Sequence, residues 1–349
     1  MADVTFIGAV AVGEQSDLGA INTTIRDLAL GGGGALDETN GLVLGDAESG
    51  TGKTGIAFPD HVRDARENPV EPGSFTVLPD TFVKVNVEGF EISWQLKGNG
   101  VTSTPSAGQA KPDPGIHALL LMSGLAGSNG TSPKYQYIPA LGTTYGTVKL
   151  WNFDMSYTYM DCVLASLTLE QTGGSIIIAK ASFRVGSLAA IENGLTATTY
   201  DYGFQASLSA PVVQAAAYTW GQLRGFMTMS LVIDNVVNSV SDSNQATGLR
   251  WVQDERRVRC NGTVYMSTSD SDFEYQELIG APSANAVWTI GPVTAPAAQL
   301  NSIKFTCNQL QVTKTKYDKV GIATVCILES HCTGVGGAGG ADEFLAEFQ

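Results

Sequence analysis

The chain has 349 residues, of which only 15% are charged; it carries 40 glycines and a formal net charge of −14. So few charges, against roughly 25% in ordinary domains, argue against an extended helical protein built on Glu, Lys and Arg. The acidic balance argues against tight nucleic-acid binding, which needs Lys and Arg to displace counterions.

The acidic excess is concentrated early: up to Trp94 there are 15 Asp and Glu against 5 Lys and Arg. Residues 1–74 read as an irregular acidic N-terminal arm with loops. They contain the glycines of 31–34, an Asn40-Gly41 turn and three prolines, Pro59, Pro69 and Pro72; residues 61–67 suggest one or two helical turns. The opening MADVTFIGAV has no basic n-region and no long apolar run, so no secretory leader is expected. No stretch reaches the ~18 apolar residues of a membrane span.

Regular strands are expected from Ser74 onward, at 75–78, 82–87 and 90–96. In the last of these Phe90, Ile92, Trp94 and Leu96 alternate with polar residues, the mark of a half-buried strand. Pro112, Asp113 and Pro114 then open a helix over 115–125, stopped by Gly124 or Gly127. Ile116, Leu119, Leu120 and Ser123 should face a sheet. Strands resume at 147–153, 157–168, 175–185 and 202–209, with Thr172-Gly173-Gly174 as a hairpin turn. A break is expected over 187–200. The second half should hold strands near 227–235, 247–252, 258–266, 302–306, 309–316 and 321–330. A glycine-rich linker follows at 334–341, and 342–349 (DEFLAEFQ) reads as a short amphipathic helix or a frayed end. Each half contains one long hairpin, 162–186 and 309–332, which suggests a duplicated unit. The resulting division is 1–74 arm, 75–200 first β domain, 201–333 second β domain and 334–349 tail.

Motifs that would carry chemistry are weak. Residues 47–54 (AESGTGKT) match a relaxed P-loop, with Lys53 on phosphate and Thr54 on magnesium. However, Pro59 would stop the helix that such a loop must open, and Asp46 and Glu48 would repel phosphate. His61, His117 and His331 stand apart, and Cys326, His331 and Cys332 lack the close ligand pairs of a zinc site. The five cysteines, Cys162, Cys260, Cys307, Cys326 and Cys332, are widely spaced and odd in number, which reads as reduced thiols. Asp254-Glu255-Arg256-Arg257-Val258-Arg259 is the densest charge cluster and suggests a strand end making salt bridges between subunits. No residue is assigned a catalytic, cofactor-binding or metal-binding role, and no enzyme is expected.

Residues 87–100 (VEGFEISWQLKGNG), a polar loop, the helix around IHALLLMSGL, the Tyr-rich 135–139 and the long strands of 149–185 follow one another in an order that resembles the major tail tube proteins of long-tailed, siphovirus-type bacteriophages. The strand 231–235, the region 248–266 and the closing hairpin extend the likeness over most of 75–335. The long acidic N-terminal arm departs from shorter tube proteins. The resemblance implies a mostly β protein, a β-sandwich or barrel-like tail tube fold with a short helix flanking the first sheet. It also implies a virion structural protein, made in the host cytoplasm, that stacks with itself in trimeric or hexameric rings into a hollow conduit for DNA ejection. Its partners would be other copies, the tape measure, terminator and distal tail proteins, and DNA in transient, non-specific passage; no membrane insertion is implied. The acidic excess would then face the channel in part and repel phosphate. The competing readings are another virion structural protein (capsid, decoration or tail terminator), a P-loop hydrolase, and a secreted lectin or adhesin.

Overall fold

In the computed structural model, residues 8–27, 41–43, 55–57, 62–65, 83–86, 89–96, 114–129, 134–152, 155–172, 177–193, 216–219, 226–243, 249–265, 284–290, 303–334 and 343–348 are described. The elements, in chain order, begin with β1 (Gly8–Glu14), α1 (Thr23–Arg26), β2 (Gly41–Val43), β3 (Gly55–Ala57), β4 (Val62–Ala65), β5 (Val83–Asn86) and β6 (Gly89–Gln95). Then come α2 (Pro114–Met122), β7 (Leu125–Asn129), β8 (Tyr135–Pro139), β9 (Gly146–Asn152), β10 (Met155–Thr172), β11 (Ile178–Arg184) and β12 (Ser187–Asn193). The remainder comprises β13 (Ala216–Thr219), β14 (Phe226–Ser241), β15 (Leu249–Tyr265), β16 (Ala284–Ile290), β17 (Ile303–Val320), β18 (Ala323–Thr333) and β19 (Phe344–Phe348). The protein is mostly β, and every strand pairing is antiparallel.

One strand belongs to two sheets. The first half of β10 lies between β9 and β12, in a sheet ordered β2-β1-β9-β10-β12. Its second half lies between β11 and β14, in a larger sheet ordered β3-β6-β11-β10-β14-β15-β18-β17-β16-β13. The changeover is Asp161, whose φ of +53° is the one left-handed non-glycine backbone among the described residues. Asp is among the few residues that tolerate this conformation. Ladder irregularities on either side, at Thr158/Tyr159 and Leu164/Ser166, let the strand turn the corner. The Asp161 backbone N–H donates to Gln15 Oε1 at 2.8 Å, and its Oδ1 accepts from Gly19 N at 2.7 Å and Gln15 Nε2 at 3.1 Å. The loop after β1 therefore holds the corner in place.

The core follows from alternation. Along β14, Met229, Leu231 and Ile233 are buried, whereas Thr228, Ser230, Val232 and Asp234 are half-exposed. α2 is apolar nearly all round: Ile116, Ala118, Leu119, Leu120 and Met122 are all buried, and the helix packs against β1 and β10. A helix without a polar face is an interior helix, so it lies within the core instead of resting on one sheet by a single stripe. Gly124 ends it at φ +80°, where a Cβ would meet the Gln253 and Arg256 side chains.

Several sequence expectations change. Residues 62–65, expected as helical turns, form β4, paired with β5. Within the segment expected to be irregular, β1 is a core strand, with Val10, Ala11 and Val12 at most 1% exposed; its run of small and β-branched residues was hidden among glycines. The expected break after 186 contains β12. The strands expected at 247–252 and 258–266 are one strand, β15, and those at 302–306 and 309–316 are one strand, β17. In β15 the polar run 253–257 buries no residue fully on either face, so it reads as a gap in the alternation. Within the C-terminal DEFLAEFQ, Phe344–Phe348 forms β19, not a helix. The expected strands 75–78 and 202–209 lie outside the described residues. The sheet is continuous between the two halves of the chain, through the pairing of β10 with β14.

Candidate self-assembly surfaces

β17 and β18 form a hairpin whose last residues, 319–324, run past the strands paired with it on either side among the described residues. β16 accompanies β17 as far as Leu310, and from Val312 onward β18 is its single strand partner among the described residues. The reason is in the sequence. Up to Leu310 the strand carries Ile303, Phe305, Cys307 and Leu310 toward the core, but beyond Val312 it reads TKTKYDKV, with nothing to bury. The turn at Gly321, at φ +62°, requires the left-handed backbone that glycine supplies without strain. Next to it stands Ile322, fully exposed, with Val320 and Tyr317 more than 40% exposed. Lys314, Lys316 and Lys319 flank this apolar tip. The tip thus sets an exposed isoleucine at the end of a strand pair that runs past its neighbours, a feature suited to docking.

The second surface is the wet face of the large sheet. Ion pairs run across it from strand to strand: Lys180 of β11 to Glu170 of β10 at 2.7 Å, Arg259 of β15 to Asp234 of β14, and Lys314 of β17 to Glu329 of β18 at 2.8 Å. A shallow polar trough of 570 Å³ crosses β10, β14, β15 and β18, lined among others by Glu170, Ser230, Arg259, Asn261, Glu329 and His331. The face is charge-compensated, neither a basic track nor an acidic one. Exposed pairs of this kind stabilise little, but they keep each charge occupied.

The third surface was missed in the sequence. β19 fills a slot between β17 and the β7–β8 hairpin. Phe344, Ala346 and Phe348 point inward, and all three are nearly inaccessible to solvent. Phe344 stacks on Phe305 with centroids 5.9 Å apart, and Phe348 meets Tyr137 edge-on at 5.7 Å. On the other face Glu347, its side chain 6% exposed, accepts from Gln136 Nε2 at 3.0 Å and pairs with Lys134 at 3.3 Å and Lys304 at 3.5 Å. Burial pushes its carboxyl upward, but Gln136, Lys134 and Lys304 together hold it below the ordinary value of 4.5. At the mouth of the slot Glu343 is bound by Arg256 at 2.7 Å. The signal that could have revealed the strand is the F-x-A-x-F alternation of 344–348, which fits a period of two as well as a helix.

The residues singled out in the sequence are scattered. Residues 47–54 and His61 lie outside the described residues, but Gly55–Ala57 immediately after them is a strand and not the helix a phosphate loop needs. His117, on α2, is half-buried, shares a 2.6 Å hydrogen bond with the Tyr137 hydroxyl and packs against Tyr135. His331 faces Arg259 across the β15–β18 ladder. No group of three or more potential metal ligands occurs among the described residues. Cys307 and Cys332 are joined in a disulfide, which corrects the expectation of five thiols; these two cysteines, 25 residues apart in sequence, lie 5.5 Å apart between Cα atoms. Cys162, Cys260 and Cys326 are buried thiols, and burial pushes Cys162 well above its usual pKa. The arginine cluster is not at a strand end as expected. It lies mid-strand in β15, and its cations are satisfied within the chain: Arg256 by Glu343 and the carbonyls of Gly124 and Ala140, Arg257 by Glu255, and Arg259 by Asp234. No described helix is long and apolar enough to cross a membrane. In comparisons with protein-family models and with curated proteins, nothing matches the chain.

Proposed function

We propose that this chain is a self-assembling structural subunit, and specifically a tail tube protein of a long-tailed bacteriophage whose copies close into rings and stack into a hollow conduit. The observation that carries the reading is the β17–β18 hairpin. Its end, residues 319–324, runs past the paired strands β15 and β16 and presents the fully exposed Ile322. The step from self-assembly to a phage tail tube rests on the order of motifs in the sequence.

Other features fit this role. Long antiparallel strands with a continuous polar face are suited to lining or bracing a wall. The compensated charges of that face give passing DNA no run of cations to neutralise its phosphates. The acidic excess of the first 94 residues adds repulsion wherever it borders the channel. A heterologous contact, in which the hairpin of one copy meets a different surface on the next, generates rings when the rotation closes and filaments when it does not.

The test is negative-stain microscopy of the purified protein over a range of concentrations, with analytical ultracentrifugation. Tubes or stacked rings of uniform bore are the expected result. Closed shells would favour a capsid or decoration role, and a compact monomer at high concentration would overturn the proposal.

A further inference from the structure

We infer that the hairpin tip at Ile322 docks into the acidic depression beside Leu141 on a second copy of this chain, so that copies join head to tail. The inference rests on the self-assembly reading above and names the surface that receives the tip.

The depression, of 440 Å³, opens where the turn after β8 meets the middle of β15 and the end of β18. Leu141, Val258 and Cys332 line it together with the carboxylates of Asp254, Glu255 and Glu343. Glu343 is paired with Arg256 and Glu255 with Arg257, but Asp254 enters no ion pair among the described residues. The turn that carries Leu141 is fixed on both flanks. The Ala140 N–H donates to the Gly124 carbonyl at 2.9 Å, and Thr143 Oγ1 accepts from Gln253 N at 2.9 Å. Leu141 itself is nonetheless 91% exposed.

The tip is the complement of this surface. Lys316 and Lys319 are exposed and enter no ion pair among the described residues. The carboxylate between them, Asp318, accepts from the Lys319 backbone N–H at 2.8 Å. Single exposed apolar residues are ordinary on a protein surface. Here, however, Ile322 and Leu141 are the two most exposed large ones among the described residues, well ahead of Ile191 at 52%. Each stands beside unpaired charge, and the two charges are of opposite sign.

Position decides which molecule makes the contact. The tip adjoins the start of β18, at Ala323, and the depression lies at the strand's end, at Cys332 and Thr333. At about 3.3 Å per residue these ends are roughly 30 Å apart. β18 stays paired to β17 along its whole length, so the tip cannot fold back onto its own depression. Two different, complementary surfaces at opposite ends of one element make a heterologous contact, which adds copies in a row and closes when the rotation allows. Opposite charge steers the approach and fixes the register of the docked pair.

The experiment uses the full chain. One preparation carries Lys316→Glu and Lys319→Glu, and a second carries Asp254→Lys and Glu255→Lys; all four positions are exposed. Each preparation alone sets like charges against each other at every contact and should lose at least tenfold in sedimenting mass. When the two are mixed, each tip meets a depression of opposite charge, and assembly should return to within twofold of the unmodified protein. Cross-linking tests the same contact without changing a charge. Leu141→Cys and Ile322→Cys preparations, mixed and treated with a short bis-maleimide, should give a covalent heterodimer, and neither alone should give a dimer; the native thiols Cys162, Cys260 and Cys326 are buried. Assembly without the heterodimer, or a dimer from either cysteine preparation alone, would overturn the docking and leave the self-assembly reading standing. Undiminished assembly of either charge-reversed preparation alone would do the same, as would a mixture that fails to recover although both variants melt like the parent. Failure of the unmodified protein to assemble would overturn both this inference and the proposed function.

Discussion

At the scale of single residues, the corner at Asp161 is the most constrained point of the fold. Its left-handed backbone is packed against Gly186, where an added Cβ would lie 2.5 Å from the Asp161 Cβ and 2.9 Å from its carbonyl oxygen. Backbone cannot give way as a side-chain tip can, so Gly186→Ala should lower stability by about 1–3 kcal/mol in urea unfolding. A change below ~0.5 kcal/mol would mean that the two strands separate freely. Lys149 is the second such residue. Although buried, it donates to the Arg26 carbonyl at 2.6 Å and to Glu192 at 2.8 Å, tying α1 to the edge strand β12. The hydrogen bond from Lys149 is the main reason the Glu192 carboxyl sits below its usual range. Lys149→Met should cost about 2 kcal/mol and return the Glu192 titration toward an ordinary glutamate, as read by NMR. Neither residue announces itself in the sequence. YMDCVLA and TVKLW read as plain strand, because what distinguishes Asp161 and Lys149 is the partner each meets from a remote segment.

At the scale of elements, β19 and the distal β17–β18 hairpin are the parts whose behaviour should differ from the body. β19 is short and carries one buried carboxylate beside its apolar contacts. The Glu347 carboxyl is held below its unfolded value, so its contribution is fully present above about pH 4.5 and is lost as pH falls through the lower, folded value. Acidification from neutral to below pH 4 should therefore raise amide exchange in 303–307 and 135–137 before the β10–β14 core opens. Glu347→Gln should show that raised exchange already at pH 7. Uniform exchange across all strands would show that β19 is not a separate unit. Periodicity in the sequence located the strong elements, from β6 and α2 to β10, β14 and β18. It failed for β15 and β17, where a wet face and a change of neighbours along one strand look like an interruption. It failed too for β1, whose burial depends on β9 and α2 covering it.

At the scale of the whole molecule, the exposed hairpin tip and the net charge of −14 pull in opposite directions, and the proposed assembly is a way to reconcile them. Ile322 makes no contribution to the monomer core that its exposure would allow, so Ile322→Asp should leave the melting of the monomer within about 0.5 kcal/mol of the parent. The same substitution should reduce the mass of sedimenting assemblies at least tenfold. Tubes formed normally by Ile322→Asp would show that the hairpin tip is not a contact. Because the flanking Lys314, Lys316 and Lys319 sit on a protein of net charge −14, assembly should also weaken as salt rises past about 0.5 M.

The sequence by itself determined that the chain is mostly β, where its strongest strands and its helix lie, and that no compact motif commits it to catalysis. These are local properties: alternation, glycine punctuation and spacing act over a few residues. Only the tertiary structure decided that β10 serves two sheets, that Cys307 meets Cys332, that the arginines of β15 are satisfied internally, and that the last residues form a strand in a slot. Each of those facts depends on which distant segment supplies the other half of a contact. A period of two or of 3.6 residues carries no record of that partner.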